Sequence, residues 1–169
     1  VTEGSYALSA PVTVCITPVA PPTSAVTFNG ALIGVSVTTV TPADLVWRGD
    51  GSANIWNNSV SNWLNGVDQS KYKDGDAVTF DESGSNSPAI SVPTAVAPGA
   101  MIVNANKDYS FNGAGGIGGT LTLYKSGNGT LTLNNTNTYS GGTKVDGGVV
   151  AMGNANAIGS GSITLQGLT

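Results

Sequence analysis

Asp74, Asp76, Asp81 and Glu82, flanked by Lys71 and Lys73, form the densest group of ionisable side chains in this chain. Carboxylate pairs held about 5–10 Å apart can hydrolyse glycosidic bonds, and converging carboxylate and carbonyl oxygens can bind Ca2+. The spacing suits neither well. Asp74-Gly-Asp-Ala-Val has no ligand at the fifth position of a calcium loop, and no later glutamate completes one. The cluster therefore reads as a solvated turn ahead of a strand, with Ca2+ binding left open. Histidine is absent, which removes Ser-His-Asp and Cys-His catalysis and takes away the commonest nitrogen ligand of zinc. Arg48-Gly49-Asp50 spells an integrin-recognition tripeptide, a match that three letters produce readily by chance. Gly113-Ala-Gly-Gly-Ile-Gly118 has the glycines of a phosphate loop but neither the lysine nor the helix such a loop needs. Trp47, Trp56 and Trp63 have two readings: flat platforms for sugar rings, or bulky caps over an apolar core. Exposure separates them, and capping is the reading preferred here. No catalytic residue, cofactor or bound metal is expected.

Composition narrows the partners. The 169 residues include six Lys and Arg against ten Asp and Glu, a net charge of −4. No basic stripe exists to neutralise nucleic-acid phosphates or an anionic membrane surface. No apolar run approaches the roughly twenty residues that span a bilayer as a helix. The chain opens at Val1 with Glu3 close behind, so a leader peptide, if there was one, is expected to have been removed. Low charge here does not signal disorder, because Val, Ile and Thr alternate with polar residues throughout. The expectation is an extracellular all-β protein. Cys15 is the only cysteine; it excludes an intrachain disulfide and reads as a small buried hydrophobe.

The elements that would position these residues are short strands. Val12, Val14 and Ile16 share one face of an alternating run between Pro11 and Pro18, with Thr13, Cys15 and Thr17 on the other. Residues 19–24 read as a stiff Pro-rich linker. Ala25–Phe28 and Ala31–Val40 flank Asn29-Gly30, a strong hairpin signal. Residues 44–82 carry the tryptophans in Asn-rich loops. From Tyr109 onward, glycine and asparagine chop the chain into tandem phrases, including Gly-Thr-Leu-Thr-Leu at both 119–123 and 129–133. Tandem phrases of this kind indicate stacked β-coils. The expected inward set is Leu121, Leu123, Leu131, Leu133, Val145, Val149, Ile158, Ile163 and Leu165, with Leu121 and Leu131 one above the other. Gly141, Gly142, Gly147 and Gly148 are expected to supply positive φ at tight corners. The organisation is thus residues 1–24 as strand and linker, 25–100 as a β-rich, Trp-containing capping region, and 101–169 as glycine-punctuated repeats.

Several phrases together resemble proteins carrying the autotransporter-associated β-strand repeat. They are Trp47-Arg-Gly-Asp-Gly-Ser-Ala-Asn-Ile-Trp56, Gly75-Asp-Ala-Val-Thr-Phe80, Thr130-Leu-Thr-Leu-Asn-Asn-Thr-Asn-Thr-Tyr-Ser-Gly-Gly-Thr143 and Gly147-Gly-Val-Val-Ala-Met-Gly153. The run from Ser9 to Pro18 resembles the last strand of a bacterial immunoglobulin-like module. The first resemblance implies a short right-handed parallel β-helix, secreted or displayed on a bacterial surface, with no catalytic residues. The expected function is a non-enzymatic structural or display module that assembles into a fibre or stalk by strand addition, with Val12, Val14 and Ile16 on the assembly strand. Its partners would be other copies or adjacent domains of a longer chain. The alternative is a carbohydrate-binding accessory region of a polysaccharide-degrading enzyme, with polysaccharide gripped by Trp47, Trp56 and Trp63.

Overall fold

The computed structural model describes residues 26–28, 31–33 and 41–166, and these form strands, turns and loops with no helix. Two compact units divide between Thr39 and Val40. In the first, Val26–Phe28 (β1) and Ala31–Ile33 (β2) pair antiparallel with Phe28 opposite Ala31, as the Asn29-Gly30 signal predicts. The expected assembly strand with Val12, Val14 and Ile16, together with Cys15 and the linker, lies outside the described residues.

The second unit is a parallel β-solenoid. Its longer sheet holds Asp44–Trp47 (β3), Trp63–Asn65 (β4), Asp68–Ser70 (β5) and Ala77–Phe80 (β6). The shorter sheet begins at Ile90–Ser91 (β7). Thereafter the chain alternates between the two: Ala100–Asn104 (β8), Tyr109–Asn112 (β9), Leu123–Ser126 (β10), Thr130–Leu133 (β11), Thr143–Val145 (β12), Val149–Met152 (β13) and Ile163–Leu165 (β14). The longer sheet runs β14-β12-β10-β8-β6-β3 in parallel, then adds β4 and β5 antiparallel; the shorter runs β13-β11-β9-β7 in parallel. A third side carries no named strand. Backbone hydrogen bonds close it, among them Val96 N to Gly116 O at 3.0 Å and Thr138 N to Ile117 O at 2.8 Å.

Each strand alternates between core and solvent because the pleat sends successive side chains to opposite faces. Val78, Met101, Leu123, Thr143 and Ile163 are in register as one inward column, and Thr79, Ile102, Tyr124, Lys144 and Thr164 as its outward neighbour. Leu121, Leu123, Leu131 and Leu133 are buried as expected. Ile163 and Leu165 continue inward columns but stand 53% and 60% exposed, since β14 is the edge of its sheet. Val149 corrects the sequence reading: Val150 pairs with buried Leu131 and packs on the core, while Val149 is exposed. Leu121 and Leu131 do not stack either. Leu131 lies in register with Tyr109 and Val150, so the two Gly-Thr-Leu-Thr-Leu phrases belong to different sides of one coil. Of the four corner glycines, Gly142 and Gly148 have φ of 86° and 70°. Gly141 is needed for another reason, because a Cβ there would strike the backbone carbonyl of Leu121.

At the β3 end the stack is sealed. Trp47, Trp56, Trp63, Tyr72 and Phe80 are all 0% exposed and meet mostly edge-to-face. Trp56 lies within the cluster, with ring centroids 5.4 Å from Trp63, 5.5 Å from Tyr72 and 5.6 Å from Phe80. Burying rings of this size removes 150–250 Å2 each from water by general experience, which does the work of a missing coil. Trp47 Nε1 donates to Ser85 O at 2.7 Å, whereas the indole nitrogens of Trp56 and Trp63 are buried without an acceptor. Trp56→Ala should therefore lower unfolding free energy by about 3–5 kcal/mol, read from urea denaturation. Trp56→Phe should cost clearly less, since it keeps a ring and removes an unpaired N–H; equal losses would remove the ring cluster as the seal.

Candidate functional site

The acidic cluster is brought into the structure as a set of separate backbone ties. Asp76, 4% exposed, accepts from Ala43 N at 2.9 Å and from Lys73 N at 2.8 Å, using both oxygens. Asp74 Oδ1 accepts from the Tyr72 hydroxyl and from Ala97 N, both at 2.9 Å. Asp81 Oδ1 accepts from the amide and hydroxyl of Ser83, and Glu82 accepts from the amide of Asn106. Each carboxylate thus terminates a different loop. Among the described residues no group of three or more His, Cys, Asp or Glu side chains converges to hold a metal. Lys107 and Asp108 are likewise structural: the ammonium donates to Gly84 O and the carboxylate accepts from Thr130 N at 2.6 Å.

The other sequence candidates also resolve into packing. Trp47, Trp56 and Trp63 present no solvent-facing ring, which corrects the sugar-platform reading: the apolar demand of the sealed end has taken all three indoles inside. Arg48 and Asp50 are exposed. Asp50 Oδ1 collects the amides of Ser52, Ala53 and Asn54 at 2.8–2.9 Å, and those bonds, from Asn54 first, hold its carboxyl below the ordinary value. Buried Asn54 pins the same loop from beneath, with φ of 45° and its Oδ1 accepting from Asp50 N and Gly51 N. In the glycine run 113–118, Gly115 N and Gly118 N donate to Val92 O and Val96 O. Those amides are therefore not gathered for a phosphate.

What the repeat phrase does is join coils. Asn137, 4% exposed, accepts from Ile117 N at 2.8 Å in the coil before it and donates to Ala157 O in the coil after it. Asn135 donates to Gly113 O and Gly115 O, and its Oδ1 has no partner. Asn154 repeats the move upward, donating to the carbonyls of Asn134 and Asn135. The buried Tyr139 hydroxyl meets Thr143 Oγ1 at 2.8 Å. Lys125, 1% exposed, lies in an inward column between Val103 and Val145. Its ammonium turns to the corner and donates to the carbonyls of Ser126, Gly127 and Gly147 at 2.8, 2.9 and 3.2 Å. Burial lowers its pKa, and the charge of Asp108 opposes that. Sequence reasoning missed Lys125 and the separate tasks of Asn135 and Asn137. The available signal was a lysine two residues after inward Leu123 and two before a corner glycine.

Among the described residues, a concave apolar surface lies at the far end of the stack. An open cavity of about 300 Å3 is lined by Val145, Val149, Val150, Met152, Ile163 and Leu165, among others.

The passenger-associated-transport-repeat family matches residues 123–152, from the first residue of β10 to the last of β13. The match therefore takes in two stacked strands of each sheet, more than one full coil. Over 65 residues the chain is 48% identical to the adhesin BmaC autotransporter of Brucella suis biovar 1 (strain 1330), covering 38% of this chain and 2% of that adhesin. No solved structure matches. Residues 123–152 thus match an autotransporter passenger repeat, which goes with a secreted or cell-surface location.

Two outcomes follow from the ties. Asn137→Ala strands one donor and one acceptor in neighbouring coils and should cost about 2 kcal/mol, while exposed Asn128→Ala should stay within about 0.5 kcal/mol in the same denaturation experiment. Burial raises the pKa of Tyr72, Tyr109 and Tyr139. The unfolded chain loses those protons first, so stability should fall as pH rises above 10. Tyrosinate absorbance from these three should appear with unfolding; its appearance in the folded protein near pH 10 would contradict their burial.

Proposed function

We propose that this chain is a non-enzymatic structural and display module of an exported bacterial surface protein, adhesin-like in role, and that copies join into a fibre or stalk by strand addition. The Trp-rich part closes one end of the stack, and the glycine-punctuated part is its extensible body. Each added coil lengthens such a body by roughly 5 Å, the spacing between strands. The observation that carries the reading is the use of Asp74, Asp76, Asp81, Glu82, Lys107 and Asp108 as hydrogen-bond partners of loop and corner groups. Groups committed to holding coils together are poorly placed to transfer protons or bind substrate. The relative named an adhesin supports the display role. Polysaccharide binding loses its proposed carriers, because the three indoles are buried.

The test joins an activity assay to an assembly assay. The full chain should turn over neither acidic nor neutral polysaccharides, and Asp76→Asn should lower stability alone. Deleting residues 1–20 should shift light scattering from assemblies to monomer. Turnover that disappears with Asp76→Asn or Asp81→Asn would overturn the non-enzymatic reading, and assembly unchanged by the deletion would overturn strand addition.

A further inference from the structure

We propose that the outward row of the longer sheet binds an acidic polysaccharide, a linear sugar chain bearing carboxylates or sulfates. The proposal goes beyond the display reading by naming what the displayed surface holds, and it is independent of strand addition.

Register builds the row. Leu64, Val46, Thr79, Ile102, Tyr124 and Lys144 are Cα partners across neighbouring strands. Their side chains therefore stand about 4.8 Å apart along one outward line. Ile102 and Tyr124 are 40% and 43% exposed, and the other four are half-buried. Stacking does not require these residue types. On the shorter sheet, built the same way, the outward row is Ser110, Thr132 and Ala151, all small side chains. An exposed apolar and aromatic row that folding does not demand points to a ligand. Every strand from β3 to β12 is paired on both sides, and the row faces sideways from the stacking axis. Coils added beyond β14 would lengthen it without covering it.

The chemistry of the row selects its occupant. It is one side chain wide, bordered on the same face by Ala77 and Ala100 on one flank and by Asn104 and Ser126 on the other. A protein partner would need a broader apolar patch. A sugar chain offers apolar ring faces with hydroxyl edges, which suit a narrow apolar strip beside amide and hydroxyl groups. Charge specifies the class of sugar. The Lys144 ammonium lies 5.2 Å from the Tyr124 ring centroid and donates to its hydroxyl at 3.4 Å. That bond uses one of three ammonium hydrogens and leaves the phenol proton free. An ammonium and a phenol thus stand side by side as donors to carboxylate or sulfate oxygens. Lys107 and Lys125, by contrast, are committed to backbone carbonyls. Exposed Asp146, two residues beyond Lys144, opposes an anion there. A phosphate backbone is the wrong anion, because one ammonium cannot neutralise it.

The experiment runs the full chain by affinity electrophoresis through gels carrying polygalacturonate, dextran sulfate or neutral dextran. The net charge of −4 opposes non-specific attraction to a polyanion, so retardation reports a local site. Wild type should be retarded by at least one acidic polymer, the stronger of the two naming the anionic group, and not by dextran. Tyr124→Ala and Lys144→Gln should each weaken retardation about threefold to fivefold. Asp146→Asn should strengthen it, and Thr132→Ala on the other sheet should leave it unchanged. Urea denaturation followed by tryptophan fluorescence verifies that each variant folds; Tyr124→Thr serves if the alanine variant does not. Equal retardation by dextran would overturn the acidic class of ligand. No retardation by any polymer, or retardation untouched by both row substitutions, would overturn the site. None of these outcomes bears on whether copies assemble, so the display reading stands or falls separately.

Discussion

A coil of this solenoid cannot bury its own inward side chains. Leu123 is dry because Met101 lies on one side of it and Thr143 on the other, and every inward residue depends on its neighbours in the same way. Burying a leucine is worth roughly 1.5–3 kcal/mol, but that stabilisation exists only once adjacent coils are in place. The fold is therefore cooperative along one axis, and its ends are its weak points. The aromatic cluster answers the problem at one end by filling the last layer with rings. Met152, Ile163 and Leu165, in the last described coil, are exposed.

The same axis sets the rule for polar groups. Corners expose amides and carbonyls that strands would otherwise pair, and a buried unpaired group costs about 1–3 kcal/mol. Asn137 serves an amide in one coil and a carbonyl in the next, while Lys125 gathers three corner carbonyls at once. The carboxylates do the complementary task, accepting from loop amides that have no strand partner. Charged side chains here substitute for missing backbone partners.

Much of the architecture was legible in the chain itself. Alternation in Thr130–Leu133 and Ile163–Leu165 marks strands, the glycine and asparagine punctuation marks corners, and Asn29-Gly30 marks a hairpin. Legibility failed where register had to be counted. Val149 and Val150 are both apolar, and alternation cannot say which faces inward; pairing with Leu131 decides it for Val150. The twin phrases at 119–123 and 129–133 looked like successive coils. Yet hydrogen bonds between coils join residues 20 to 22 apart, as in Ile117–Asn137 and Asn128–Asn106, so a spacing near ten carries the chain only partway round one coil. Lys125 escaped notice because a lysine on an apolar face ordinarily signals a break in pattern, whereas here its flexible stem is buried and its ammonium reaches the corner.

By itself, then, the sequence determined the all-β class, the stacked design, the hairpin and the exclusion of histidine-based chemistry. These depend on residue type and on the two-residue period of the pleat, which are local properties. Only the tertiary structure decided that the tryptophans are sealed inside and which amide each carboxylate serves. The ties of Asp74, Asp76, Glu82 and Asp108 to Ala97, Ala43, Asn106 and Thr130 depend on partners more than twenty residues away in the chain, whose pairing is set by the register of whole coils.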